Sequence, residues 1–237
     1  MKNLLAALAL GAVSACSFAG FDYSPTHETS VKPGINESFF GSEVDVDGFV
    51  EKWEGESREV YVARSRIVQR ADFRAGSVVA DIGAGTGAFL ADLTRAVGPT
   101  GNVLALDVAP AFVKHLEDRV ASEKLSPVEV RLCAENSIEL PPNSIDAAFI
   151  CNVYHHFEFP RNSVASIEHA LRAGGEVIIV DFERIEGQSR EWVLDHVRCG
   201  KDTVFREMES FGFEMVEELE FPEFKETWVA RFRRRFE

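Results

Sequence analysis

The chain has 237 residues, of which 46% are hydrophobic, so it holds one large domain, or one domain with an extension, and has enough apolar side chains to bury a core. Charged residues at 27% and aromatic residues at 11% exclude disorder throughout. Lys plus Arg number 25 against 39 Asp plus Glu, a net charge of −14, and so acidic a chain repels a phosphate backbone, which argues against non-specific nucleic-acid binding.

The first twenty residues carry Lys2, an apolar run over residues 4–13 and then Ser14, Ala15 and Cys16, with no acidic residue before Asp22. This is signal-peptide architecture, and a run of about 10 residues falls well short of the roughly 20 that a membrane-crossing helix needs. Val13-Ser14-Ala15-Cys16 resembles a bacterial lipobox, which implies lipidation of Cys16, export to the periplasm and association with the membrane. Cleavage after Ala19 and a buried N-terminal helix are the alternatives. Residues 21–42 are rich in Ser, Thr, Pro and Gly without a hydrophobic period, and read as a flexible tether. Residues 43–237 then form the folded domain.

Residues 44–71 read as two helices separated near Gly55, because Phe49, Val50 and Trp53, then Val60, Tyr61, Ala63, Ile67 and Val68, recur at helical spacing. The β-branched run 77–82 reads as a strand buried on both faces, followed by a helix over 88–97. Strands are expected over 102–106, 128–133, 145–151 and 176–181, with helices over 110–124 and 161–171 between them. Strands alternating with helices imply βαβ units, a parallel sheet and right-handed crossovers, and so a doubly wound α/β architecture. The tail adds helices over 189–196 and 203–211 and two strands, 213–221 and 226–232, joined near Pro222-Glu223 as an antiparallel hairpin at the sheet edge. Alternating arginines from Arg231 to Arg235 read as protection of a final edge strand.

Apart from Cys16 the cysteines are Cys133, Cys151 and Cys199, an odd number without CxxC spacing, so neither a disulfide framework nor a metal site is expected.

The chemistry concentrates at Asp81-Ile82-Gly83-Ala84-Gly85-Thr86-Gly87, where a strand turns into a helix. Glycines there permit positive φ and let a ligand approach the backbone and the helix N-terminus. The spacing also satisfies a dinucleotide pattern, but a carboxylate two residues before the first glycine disfavours a pyrophosphate and suits an ammonium or sulfonium charge. Asp107 ends the next strand, where a carboxylate can accept hydrogen bonds from both ribose hydroxyls or else cap the following helix.

These residues, taken in order, resemble the motifs of class I S-adenosylmethionine-dependent methyltransferases over about residues 44–235. The resemblance implies a seven-stranded sheet of order 3-2-1-4-5-7-6 with an antiparallel C-terminal strand and a helical N-terminal extension. It implies S-adenosylmethionine as the cofactor, held by Asp81, Gly83, Ala84, Gly85, Gly87, Asp107, Val108, Ala134, Glu135 and Asn152. Tyr154, His155 and His156 follow the fourth strand, where the resemblance places the transferred methyl, and are the candidate catalytic residues, His156 foremost as a base. After the fifth strand, Asp181 to Arg184 and His196 to Lys201 project charged groups on the side expected to close over the acceptor, where Arg184, Arg198 and Lys201 are candidates to meet a polar or anionic acceptor, or to form local salt bridges. The expected activity is methyl transfer to a small-molecule or lipid-like acceptor, with a non-catalytic exported lipoprotein and a nicotinamide-dependent oxidoreductase as competing readings.

Overall fold

The computed structural model describes residues 24–41, 43–55 and 58–235. The signal segment, Cys16 and the cleavage site after Ala19 lie outside the described residues. Among the described residues no helix is long and apolar enough to cross a membrane.

Seven strands form one sheet: β1 (Val78–Ile82), β2 (Asn102–Asp107), β3 (Val128–Leu132), β4 (Ile145–Cys151), β5 (Leu171–Phe182), β6 (Phe213–Glu218) and β7 (Thr227–Arg234). Their order is β3-β2-β1-β4-β5-β7-β6, parallel from β3 to β5, with β7 antiparallel to both β5 and β6. The helices are α1 (Val46–Trp53), α2 (Glu59–Ala71), α3 (Leu90–Val97), α4 (Pro110–Glu123), α5 (Pro160–Ala170), α6 (Glu191–His196) and α7 (Lys201–Ser210). Each helix and strand expected from the sequence of the domain is present, and β5 runs longer than expected, from Leu171.

The central strands are buried on both faces because their side chains alternate into two apolar layers. Ala80, Ile82, Leu104, Leu106, Ala148 and Ile150 pack with α5 and α7. Val79, Val103, Ala105 and Phe149 pack on the other face with Ile67, Leu90 and Leu93 of α2 and α3. From β1 the chain proceeds to β2 and β3 on one side, then returns to β4 on the other, so the order in which strands are added reverses between β1 and β4. A crevice opens beyond the carboxyl ends of strands at such a reversal. The glycine loop and the Asn152 to His156 segment both leave the sheet there.

Two expectations need correction. β7 lies between β5 and β6, so its arginines do not guard an edge. Arg231 bridges Glu176 and Glu217 across both neighbouring strands at 2.5 and 3.0 Å, and Arg233 also reaches Glu176. The order 3-2-1-4-5-7-6 that the resemblance implies already places the last strand inside the sheet, and the edge reading of its arginines conflicts with it. The second correction concerns residues 21–42, which offered no pattern. From Ser24 onward the described part runs across the domain. The Glu28 carboxylate accepts from the backbone N–H groups of Arg161 and Asn162, capping α5, whose own N-cap residue supplies no side-chain bond. Ser30 and the Gly34 N–H donate to the Glu158 carboxylate, and Asn36 Nδ2 donates to the carbonyl of His156. These are polar contacts spanning more than a hundred residues of sequence, and they leave no local periodicity to read.

Candidate cofactor and acceptor site

β1 ends in Asp81-Ile82, and the chain then turns through Gly83 and Gly85, at φ +68° and +54°, a region that side chains with a Cβ rarely adopt. A Cβ at Gly83 would lie 2.6 Å from both methyl carbons of Val153, so this glycine is fixed by space as well as by φ. Asp107 ends β2, and its two oxygens accept from the N–H of Gly85 at 2.8 Å and of Ala109 at 2.9 Å. It therefore braces the glycine loop and the entry to α4 together. Each carboxylate oxygen has two acceptor positions, so capacity for ligand hydroxyls remains.

Asp81 and Asp107 are both buried. Burial, and then the nearby charge of Asp107, raises the Asp81 pKa to about 7. Burial raises that of Asp107 to about 6 against the opposing pull of its backbone N–H partners. Two carboxylates held this far above their ordinary range form a site that gains from an incoming cation.

Both carboxylates border one cavity of about 350 Å³. Gly83, Ala84, Gly85, Val108 and Asn152 line it as well. Asn152, at φ +55°, donates its backbone N–H to Val180 and leaves its side-chain Oδ1 buried without a hydrogen-bond partner. A buried acceptor of this kind calls for a donor from a ligand. Gly87, Ala134, Glu135 and Tyr154 do not line the cavity. Gly87 faces Leu116 and Leu90, and Ala134 pairs with Ser137 in a tight antiparallel bridge. Tyr154 is fully buried in the core and donates its hydroxyl to Glu207 at 3.0 Å, so it is withdrawn from the set of acceptor-facing groups.

Three histidines also line the cavity. His155 and His156 belong to a short 3-10 turn after β4, and His196 ends α6. Parallel pairing of Cys151 with Val180 brings the turn beside Asp181 of β5. Asp181 accepts from His155 twice, from Nδ1–H at 2.7 Å and from the backbone N–H at 3.1 Å. His156 Nδ1–H donates to Asn36 Oδ1 at 3.0 Å, an assignment fixed by Asn36 Nδ2 donating to the His156 carbonyl. The Nε2 atoms of His156 and His196 lie 3.3 Å apart. Burial, then the neighbouring histidines and Lys32, holds His156 well below the usual histidine pKa. Burial and the same kinds of neighbour hold His196 at about 4. Both are neutral at pH 7.

Aromatic rings line the cavity as well. Trp53 of α1 stacks on Phe112 of α4 at 5.5 Å and lies against the glycine loop, where a Gly85 Cβ would come within 3.2 Å of its ring. Glu54 fixes this end of α1 by pairing with Arg119 at 2.5 Å, and Arg119 also donates to the Thr86 carbonyl. Of the two roles open to the basic residues after β5, local pairing is the one the structure shows. Arg198 forms a two-bond pair with Glu207, Lys201 pairs with Glu218 and Glu183, and Arg184 donates to the Leu194 carbonyl. Lys52 and Arg58 line the cavity in their place. The sequence did not point to Asn36, and it placed Asp181 and His196 on the acceptor side only within charged segments, without their partnership with the two histidines after β4. The signal that could have joined the last two is the pairing of β4 with β5, which sets the residues after both strands side by side.

The fold is the class I, Rossmann-like methyltransferase architecture. Residues 80–179 match a family model described as a methyltransferase domain. An S-adenosylmethionine-dependent methyltransferase from Aquifex aeolicus superposes with a TM-score of 0.70 over 80% of this chain and 98% of that one, at 22% identity. The ubiquinone/menaquinone biosynthesis C-methyltransferase UbiE of Pseudomonas putida is 26% identical over 118 residues, 49% of this chain and 46% of its own length. An uncharacterised 37.1 kDa protein in a Streptomyces fradiae transposon is 32% identical over 116 residues, 33% of its length. The chain thus matches less than half the length of these two curated relatives. The [4+2]-cyclase SpnF has the same fold at a TM-score of 0.60 and 20% identity, over 70% of this chain and 63% of that one.

The residues that border the cavity fit S-adenosylmethionine, on which the Aquifex aeolicus enzyme depends. Asp81 offers negative charge to a cationic ligand, Asp107 offers acceptor positions to ribose hydroxyls, and the unpartnered Asn152 Oδ1 suits an ammonium donor. The raised carboxylate pKa values set a pH dependence. Binding of a cation selects the ionised forms, so donor affinity should be level above about pH 8 and fall as pH drops through 7 and 6. It should approach about tenfold per unit for each carboxylate that must lose a proton. Calorimetric titrations across pH 5.5 to 8.5 check this. The ligand-free protein behaves oppositely. Groups with raised folded-state pKa values contribute stability that is complete below the unfolded pKa of about 3.9 and lost as pH rises through about 6 to 7.

Proposed function

We propose that this domain transfers the methyl group of S-adenosylmethionine to a small-molecule or lipid-like acceptor that enters between the aromatic rings of α1 and the three histidines. The observation that carries the reading is the set of groups around one cavity: two buried carboxylates on adjacent strand ends and an orphaned amide oxygen at the third. When bound, S-adenosylmethionine supplies an electrophilic methyl carbon on a positively charged sulfur. Asp81 offsets that charge, Asp107 grips the sugar and Asn152 Oδ1 accepts from the amino group. Phe39, Phe49, Trp53 and Phe112 exclude water and give an apolar acceptor a surface to pack on. Holding the two reactants in line is the main requirement of a displacement at carbon. His156 supplies the remaining function where the acceptor must lose a proton, since its neutral ring presents Nε2 as the acceptor atom. Its depressed pKa makes it a weak base, suited to acceptors that are already acidic or already nucleophilic.

His156→Ala is expected to lower turnover by about 100-fold while leaving donor affinity within a few-fold. Steady-state kinetics and calorimetry on one preparation check this, and unchanged turnover removes His156 as the base. The reading as a whole is tested with methyl-labelled donor and fractionated lipid and small-molecule extracts. Label should pass to an extractable product as S-adenosylhomocysteine accumulates. If the donor binds and no label ever moves, the second reading, a donor-binding module without transfer, takes its place; the cyclase with this fold shows that the architecture is not confined to methyl transfer. A nicotinamide-dependent oxidoreductase is disfavoured by the buried Asp81 beside the loop that would receive a pyrophosphate. We further propose that the domain is exported and anchored through a lipidated Cys16, on the signal-peptide architecture of the first twenty residues. Mass spectrometry of the mature N-terminus tests this, with an unmodified Met1 as the contradicting result.

A further inference from the structure

His155, His156 and His196 form a tight group. Their rings pack in mutual contact, with centroids 4.3, 5.4 and 4.9 Å apart, and each offers a nitrogen within 4.8 Å of the others. Among the described residues they are the one set of three or more His, Cys, Asp or Glu side chains that converges in this way. Two further features distinguish the group from a packed cluster of histidines. The Nδ1 atoms of His155 and His156 are each committed as donors, to buried Asp181 and to buried Asn36, so in the neutral rings both lone pairs sit on Nε2. This is the outer-shell arrangement found around metal-bound imidazoles, where a carboxylate or carbonyl oxygen fixes the tautomer and aims the other nitrogen. Moreover, the 3.3 Å between His156 Nε2 and His196 Nε2 matches one edge of a tetrahedron with metal–nitrogen bonds of about 2.0 to 2.1 Å, for which geometry gives about 3.3 to 3.4 Å.

We propose that His155, His156 and His196 bind a divalent transition-metal ion, zinc(II) foremost, on the acceptor side of the cavity. Imidazole nitrogens select zinc, copper and nickel over magnesium or calcium, which prefer oxygen, and no carboxylate belongs to the ligand set. Three neutral ligands leave the ion its full charge. Because the histidines line the same cavity as the donor-binding residues, the coordination position left open would be filled by a hydroxyl, thiolate or carboxylate of the acceptor. That last step rests on the methyl-transfer reading above, with the ion replacing His156 as the group that favours loss of the acceptor's proton, since a coordinated Nε2 cannot also take one; the metal site itself does not rest on that reading. Trp192 stacks on His196 at 4.9 Å, and Lys32 holds the carbonyls of Asp195 and His196, so the third ligand is braced although it comes from a different part of the chain.

The test uses the full chain, stripped with chelator, and metal ions alone, without donor. Titration with cobalt(II) should produce the visible absorption of a tetrahedral nitrogen-ligated ion, saturating at one equivalent and abolished by one equivalent of zinc(II). His196→Ala should weaken binding by at least about 100-fold. Asp181→Asn, which alters only the outer contact, should weaken it by about 10- to 100-fold. Cys151→Ser, in the same cavity, should leave it unchanged. Circular dichroism melts establish that the variants are folded, and half-buried His196 at a helix end should tolerate truncation. Absence of saturable binding by the wild-type chain overturns the proposal, as does equal binding by His196→Ala or loss of binding in Cys151→Ser. Because S-adenosylmethionine is absent throughout, failure here leaves the donor site untouched, and failure of donor binding leaves the metal result standing.

Discussion

Asp107→Ala is expected to weaken S-adenosylmethionine binding by about 1 to 3 kcal/mol, roughly 5- to 150-fold, in a protein that still folds. Two losses combine. The ligand hydroxyls lose a charge-assisted acceptor, and the N–H groups of Gly85 and Ala109 lose the oxygens that hold the glycine loop against the start of α4. Asp107→Asn separates the two, because its remaining carbonyl oxygen can serve one of those N–H groups while the charge is gone. Asparagine should therefore recover part of the thermal stability but little of the affinity. Paired calorimetry and melting curves check this, and a folded alanine variant that binds the donor as well as the parent does removes the ribose role of Asp107.

The largest effect on stability is expected from Gly83→Ala. At φ +68° an alanine pays about 1 to 2 kcal/mol for the left-handed backbone. Its Cβ would also stand 2.6 Å from both methyl carbons of Val153, an overlap that costs about 1 to 3 kcal/mol more as Val153 or the loop gives way. The sum, about 2 to 5 kcal/mol, corresponds to a melting temperature lower by about 5 to 15 °C in a domain of this size. Adding Val153→Ala should return the overlap portion and leave the backbone portion. Val153 lines the cavity, so its displacement in the single variant should weaken donor binding at least tenfold as well. Differential scanning calorimetry of the two variants gives the answer directly. A single variant as stable as the parent would mean that the loop does not hold the conformation described.

These expectations rest on residues that the sequence exposed in different degrees. The strands from β1 to β5 were legible because burial on both faces demands short, continuous apolar runs, and helical periodicity separates them. Asp81 and Asp107 were legible because each sits at a strand end next to glycines or a helix start, within a few residues of what it braces. His196 was legible only as part of a charged segment on the acceptor side, since its partnership with His156 depends on where α6 lands after β5, a tertiary fact with no local mark. Glu28, Ser30 and Asn36 were equally hidden, for their partners lie 120 or more residues away and are met through polar atoms. Tyr154 shows the converse. Its place beside two site histidines suggested a role in the cavity, yet a 3-10 turn rotates it into the core, where Glu207 accepts its hydroxyl proton. Arg184, Arg198 and Lys201 were left between two roles for a related reason: position after a strand end says where a cation is, and not which carboxylate or carbonyl has already claimed it.

The central claim is that buried carboxylates and an orphaned amide oxygen, gathered at the carboxyl ends of β1, β2 and β4, hold a sulfonium donor. Calorimetric titration of the purified domain with S-adenosylmethionine, at pH 8 and again at pH 6, tests it most directly. Saturable binding at one site per chain, weaker at the lower pH and not displaced by NAD, is the expected outcome. No saturable heat at either pH, or displacement of the donor by NAD, would contradict it.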